Sequence, residues 1–152
     1  PEEKKVVLYA PTFRDNRHTA GLGYTYDLGL DFDRLREELG QTFHVTVGLD
    51  HCLSVYSDES WATFTDKVRA LPYSKAKALR PLFANAVDCE PDAQGRILIP
   101  TKLREYAGLQ KEVVVIGSFD RAEIWNAERW AREEAMAFDS GSLEQAMEEM
   151  GL

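Results

Sequence analysis

An internal repeat constrains this chain more than any other feature of its sequence. Leu35-Arg36-Glu37 recurs as Leu103-Arg104-Glu105 and, after a one-residue slip, residues 48–61 line up with residues 117–130. The shared pattern is chemical: a glycine, an apolar-aromatic pair, a cap residue, an acid and then Trp61 or Trp130. A chain of 152 residues has room for one ordinary domain, or for two small units that share a core.

Each copy reads as helix, strand, strand, helix. In the second copy residues 101–107 form a short helix that Gly108 closes, since glycine adopts the left-handed conformation at a helix end. Residues 113–116 and 122–125 are strands around a turn at 117–120, and Asn126 caps a helix that carries Trp130 into the core. In the first copy residues 43–47 and 53–56 are strands, and Ser57 caps a helix over 58–70. Asp58 and Glu59 sit in its first turn, where the helix dipole favours acids. Between the copies Ser74 opens a helix that runs to about Ala86, with a kink or break expected at Pro81. Ahead of the first copy, residues 5–10 and 24–30 read as strands, 33–39 as a helix, and the polar stretch 11–23 as a mobile loop. The tail from Phe138 is acidic and Met-rich, with weak helical patterning, and is expected to fray.

Residues 92–100, Asp92-Ala93-Gln94-Gly95-Arg96-Ile97-Leu98-Ile99-Pro100, pack a turn, a strand and a helix start into one run. Asp92 and Gly95 supply turn chemistry, Ile97 and Ile99 alternate as in a short buried strand, and Pro100 fits a first helical turn. Arg96 then lies near the tip beside Gln94. An Arg fork binds phosphate or guanine and Gln bonds adenine, so this tip suits DNA. An ordinary β-hairpin with a solvated Arg carries the same signature.

With 44% hydrophobic residues and no apolar run approaching ~18, a soluble globular protein is expected and a membrane span is not. The start leads only into a short apolar strand, so no signal peptide is expected. Cys52 and Cys89 stand apart, without ligand spacing, and are expected to be reduced thiols in a cytoplasmic protein. The net charge of −8 argues against a uniformly basic DNA binder, but it is unevenly placed. Residues 67–104 carry eight basic groups against three acids, and residues 111–152 four against ten. Two faces of opposite sign follow from that asymmetry, as does a merely solvated surface.

Catalytic and metal-binding patterns are not found. His18, His44 and His51 are scattered; His44 sits in a strand, where it is expected to face solvent, and His51 in a tight turn. No carboxylate or thiol pair has ligand spacing, nothing resembles a nucleophile elbow, and Gly21-Leu22-Gly23 is too short for a phosphate loop. Trp61, Trp125 and Trp130 recur with the repeat and read as packing. No catalysis, cofactor or metal is expected.

Several separated motifs in order resemble the MraZ family of bacterial transcription regulators. They are Leu35-Arg36-Glu37-Glu38-Leu39-Gly40, Val45-Thr46-Val47-Gly48-Leu49-Asp50-His51-Cys52-Leu53, residues 92–100, Leu103-Arg104-Glu105-Tyr106-Ala107 and Glu123-Ile124-Trp125. The resemblance covers about residues 35–152. It implies an α+β fold of tandem AbrB/MraZ-type half-repeats, a swapped-hairpin β-barrel with peripheral helices. It also implies promoter DNA with short direct repeats as partner, self-association into a ring-like homo-oligomer, a mainly repressive role and a nucleoid-associated location. No membrane or small-molecule partner is implied. The family's DNA-facing cations lie in its Asp-x-x-Gly-Arg hairpins, which points here to Arg96, with Gln94, Lys102 and Arg104 as weaker neighbours. Lys102 and Arg104 equally suit a helix surface, where Arg104 would salt-bridge within the helix.

The family's first hairpin is missing. Where the pattern places Asp-x-Lys-Gly-Arg-x-x-x-Pro, this chain has Asp27-Leu28-Gly29-Leu30-Asp31-Phe32-Asp33-Arg34, three carboxylates in place of a basic tip. Residues 1–40 instead resemble a piece of the CDP-glycerol glycerophosphotransferase family, in Lys4-Lys5-Val6-Val7-Leu8-Tyr9-Ala10-Pro11-Thr12-Phe13-Arg14-Asp15 and Leu30-Asp31-Phe32-Asp33-Arg34-Leu35-Arg36. The chain therefore reads as a hybrid. Residues 1–34 stand in for the first hairpin, 35–86 are a first half-repeat that has lost it, 87–140 a second half-repeat and 141–152 an acidic tail. The strands at 5–10 and 24–30 are expected to close a barrel edge that would otherwise expose unpaired backbone. Two other functions fit the sequence: a hybrid that keeps the fold, and even the oligomer, without binding DNA, or a remnant of the glycerophosphotransferase at residues 12–15.

Overall fold

Alternating apolar residues decide which side of a strand is buried, as in Arg96–Ile99, whereas strands covered on both sides, such as Leu53–Ser57 and Glu112–Ser118, are buried along four consecutive residues. The computed structural model describes residues 6–9, 18–19 and 23–27 as backbone, and 40–93, 96–118 and 120–152 in full. In order these form β1 (Val6–Tyr9), β2 (His18–Thr19), β3 (Gly23–Asp27), β4 (Phe43–Val47), β5 (Leu53–Ser57), α1 (Asp58–Arg69), α2 (Tyr73–Ala76), α3 (Arg80–Ala84) and β6 (Val87–Cys89). There follow β7 (Arg96–Ile99), α4 (Thr101–Ala107), β8 (Glu112–Ser118), β9 (Arg121–Asn126), α5 (Ala127–Asp139) and α6 (Ser142–Glu149).

Six strands make an antiparallel sheet in the order β1-β8-β9-β5-β4-β6, and three make a second in the order β2-β3-β7. At the centre of the first, β5 and β9 pair with Leu53 opposite Ile124 and Val55 opposite Ala122. Its edges are long-range: β1 lies against β8, with Leu8 opposite Val113, and β6 against β4, with Cys89 opposite Phe43. In the second sheet β3 runs along β7, Tyr24 opposite Ile99 and Asp27 opposite Arg96.

Phe43, Val45, Leu53, Val55, Val113, Val115 and Ile124 face inward onto Ile97 and Ile99 of β7 and onto Leu103 and Ala107 of α4. The opposite face of the large sheet is covered by helices. Val114, Ile116 and Trp125 pack with Trp130 of α5, while Tyr56 meets Trp61 and Phe64 of α1, which in turn touch Phe83 of α3.

Helix boundaries are set by local chemistry. Ser57 caps α1 by accepting from the Ser60 N–H, and Asn126 caps α5 by accepting from the Arg129 N–H. Asn126 also donates through Nδ2 to the Gly108 carbonyl at 2.7 Å, which ties the start of α5 to the end of α4. Gly108 closes α4 in the left-handed conformation, at φ 60°. Gly48 is required for space rather than torsion, because a Cβ there would stand 2.7 Å from Cys52 Sγ and 2.8 Å from Ser54 Oγ. Beyond it the chain turns tightly, Asp50 and His51 both at φ 59°.

Four expectations are corrected. The stretch 11–23 is not all loop, since β2 pairs with β3 within it. The strands flanking Asp92 are not a hairpin: β6 is bonded to β4 and β7 to β3, so the chain changes sheets there. The tail does not fray but forms α6, which packs on α5. His44 faces the helices rather than solvent, stacked on Trp61 with Nδ1 2.7 Å from Asp88 Oδ1 and Nε2 2.7 Å from Asp58 Oδ1. Alternation fixed its side of the strand, but what covers that side comes from α1 and β6. The helix expected from Ser74 starts at Tyr73 and is broken into α2, a 3-10 turn at Lys77–Leu79, and α3, with Pro81 in the first turn of α3. The helix expected at 33–39 lies outside the described residues.

Cys52 and Cys89 are both buried and free, and burial pushes each thiol from 9.0 up to about 12. Native protein should react with a thiol reagent at least ~100-fold more slowly than urea-unfolded protein, because only the thiolate attacks. The sign for stability follows. The unfolded thiols ionise above 9.0 while the folded ones stay neutral, so the urea midpoint should fall as pH rises past that value. Thiols that label fully under native conditions would contradict this burial.

Candidate nucleic-acid interface

The loop between β6 and β7 is shaped by a single carboxylate. Asp92 accepts the Arg96 N–H on Oδ1 at 2.8 Å and Arg96 Nε on Oδ2 at 2.8 Å, while its own N–H donates to the Arg96 carbonyl at 2.9 Å. An acidic side chain that bonds backbone a few residues on is ordinary turn chemistry. The second oxygen goes further, holding the guanidinium back along the loop. As a result the Arg96 side chain is 18% exposed and that of Asp92 36%. Asp27 is the cross-strand partner of Arg96 in β3, so an acidic residue also stands opposite this cation in the register.

β7 then enters the core through Ile97 and Ile99, each 1% exposed, which anchors Arg96 to the buried centre of the molecule. Pro100 stands at the cap of α4, and its carbonyl accepts from the Arg104 N–H. Lys102 is exposed and Arg104 half-buried on α4, where Leu103 and Ala107 take the inward positions. Gln94 lies outside the described residues. The structure thus puts Arg96 at the base of the loop and Lys102 on the helix that follows, and does not leave Arg96 as an open fingertip. The sequence reading gives Asp92 a turn role only. The signal for its second role is there in hindsight, as an acid four residues before an Arg across a glycine turn.

Elsewhere, Glu123 accepts from Arg121 Nη2 and from Trp125 Nε1, both at 3.2 Å, on the helix-covered side of the sheet. Among the described residues no group of three or more His, Cys, Asp or Glu could hold a metal, and no helix is long and apolar enough to cross a membrane.

These features define an α+β domain of two antiparallel sheets in which the loop ahead of Arg96 and a short helix flank β7. Comparison with known proteins gives the family. Residues 82–151 match the family model described as MraZ protein, and residues 1–79 match that of CDP-Glycerol:Poly(glycerophosphate) glycerophosphotransferase. The Transcriptional regulator MraZ of Caldicellulosiruptor saccharolyticus is 52% identical over 125 residues, 78% of this chain and 86% of that protein. The protein of the same name in Carboxydothermus hydrogenoformans is 51% identical over 100 residues, covering 64% of this chain and 70% of its own. That of Moorella thermoacetica is 53% identical over 100 residues, with the same coverage. The chain belongs to the MraZ family, and its residues 1–79 are also similar to the second family. A match covering 78% of the chain cannot be confined to residues 82–151, so the similarity to MraZ extends well ahead of residue 82.

Proposed function

We propose that the chain is a DNA-binding transcriptional regulator of MraZ type, a repressor that contacts promoter direct repeats through the loop at residues 92–96. The observation that carries this reading is the identity of about half to proteins named transcriptional regulators, over most of their length. Arg96, Gln94, Lys102 and Arg104 are its contact residues, Arg96 first because its fork suits phosphate or guanine. No catalytic step is assigned to the chain, and DNA as partner puts it in the cytoplasm, at the nucleoid.

The reading includes the tandem, swapped architecture. If residues 35–86 and 87–140 are half-repeats, β4 corresponds to β8 and β5 to β9, and β1 takes the position of β6. The sheet order β1-β8-β9-β5-β4-β6 then reads the same from either edge, each outer strand bonded to the other half's inner strand. That symmetry supports exchanged hairpins, with residues 1–34 supplying the missing one, and the long-range pairing of β1 and β3 supports a closed edge. Ring-like self-association would multiply weak loop contacts by avidity.

A titration at fixed, moderate salt against a duplex with direct promoter repeats, and against a shuffled duplex, tests this. Preference for the repeats is the expected result. Equal, weak binding to both would leave a hybrid that keeps the fold alone. The Arg96–Asp92 pair and the net charge of −8 favour that second reading. For the glycerophosphotransferase remnant, residues 12–15 lie outside the described residues, and calorimetry with CDP-glycerol is expected to give no heat.

A further inference from the structure

From residue 67 to residue 87 the sequence has five cations, Lys67, Arg69, Lys75, Lys77 and Arg80, and no carboxylate, in a chain whose net charge is −8. A surface that only keeps a protein soluble mixes both signs. The connector formed by α2, the 3-10 turn and α3 shows how these groups are presented.

Its inner side is fixed. Phe83 packs 5.6 Å from Trp61 and 5.8 Å from Phe64, and the Leu82 carbonyl accepts from Thr46 Oγ1 of β4 at 2.5 Å. Tyr73, Lys77 and Arg80 follow at i, i+4 and i+7, a spacing that puts them on one side of a helical segment. The Tyr73–Arg80 pair bears out the shared side: Arg80 Nη2 donates to the Tyr73 hydroxyl at 2.5 Å, and the guanidinium carbon stands 5.8 Å from the ring centroid. Lys75, Lys77 and Arg80 are all exposed, and Tyr73 is 72% exposed. Among the described residues none of these three cations has a carboxylate partner; Arg80 rests instead on a neutral phenol.

We propose that this outer face, Tyr73, Lys77 and Arg80 with Lys75 beside them, is a second contact surface for the phosphate backbone of duplex DNA. The proposal rests on the DNA-binding reading above. Arg, Lys and Tyr hydroxyls are the groups that take phosphate oxygens and set register without reading sequence. The loop cation Arg96 already has a carboxylate on Nε, so the connector adds positive charge that the described residues do not compensate. It also leads directly into β6, the strand from which the 92–96 loop departs.

The test is salt-dependent binding of a fluorescent direct-repeat duplex to the full chain and to the triple variant K75Q/K77Q/R80Q, with circular dichroism and sedimentation on both. The expected result is unchanged helicity and mass, affinity at least tenfold weaker, and a slope of log K against log salt smaller by about two to three, near 0.9 for each phosphate no longer neutralised. An unchanged slope in a variant that still binds overturns the proposal and leaves the DNA reading intact. A drop in sedimenting mass with an unchanged slope overturns it too, assigning the face to association between copies through the acidic α5–α6 end. A wild-type chain that binds no duplex removes both readings. A misfolded triple variant is replaced by K75Q/K77Q, two exposed lysines, for which a slope change of about two is expected and an unchanged slope again overturns the proposal.

Discussion

Arg96→Ala is expected to weaken binding to a direct-repeat duplex at least tenfold, whereas Asp92→Asn should tighten it several-fold. A bidentate Arg bond to a base edge is worth about 1–3 kcal/mol, and the proposed self-association would multiply the effect of removing it by avidity. The fold should survive both changes. In Arg96→Ala the residue 96 N–H still donates to Asp92, and only the charge-assisted side-chain bond of the pair is removed. In Asp92→Asn the amide oxygen still accepts that N–H, but no carboxylate oxygen remains for Arg96 Nε. The guanidinium then loses one internal competitor for phosphate. Fluorescence anisotropy at one fixed salt concentration reads both variants. The double variant should bind no better than Arg96→Ala, since the gain from Asp92→Asn acts only through that side chain. If Asp92→Asn binds as poorly as Arg96→Ala, the carboxylate organises the loop for DNA rather than competing with it.

Phe43→Ala should cost about 3–5 kcal/mol, a large share of the roughly 5–15 kcal/mol typical of a domain. Phe43 is 1% exposed and sits in β4 between Ser57 of β5 and Cys89 of β6. Its cluster runs from Val45 and Leu53 to Val113 and Ile124 and takes in Ile97 of β7 and Leu103 of α4. A cavity there has no single element that can collapse to fill it. Urea unfolding followed by tryptophan fluorescence and by far-ultraviolet circular dichroism should show one coincident transition, shifted to lower urea in the variant. Separated transitions would mean that the residues of this cluster do not form one core.

Much of the fold was legible because it is local. Ser57 and Asn126 announce helix starts, Gly108 a helix end, and the alternation in residues 43–47 and 96–99 a buried face, each within a few residues of its own cause. The candidate site was legible in part. Arg96 and Lys102 stand in β7 and α4 as expected, but the restraint of Arg96 by Asp92 required the loop to be closed in three dimensions.

His44 shows the division most plainly. Its place in an alternating strand set which side of the sheet it occupies; Asp58, Asp88 and Trp61 come from positions up to 44 residues away. The same holds for the strand order. Periodicity says that a strand has one apolar face, and every antiparallel neighbour with an apolar face satisfies it equally. Only the closing of the whole core selects β8 for β1, β4 for β6 and β3 for β7, because backbone hydrogen bonds are alike along any strand and carry no address. By itself the sequence determined most of the strands and helix ends, the family and the turn chemistry ahead of Arg96. The tertiary structure alone decided which strands pair and which of the described cations stand apart from a carboxylate, since both depend on groups that are distant along the chain and meet only when it folds.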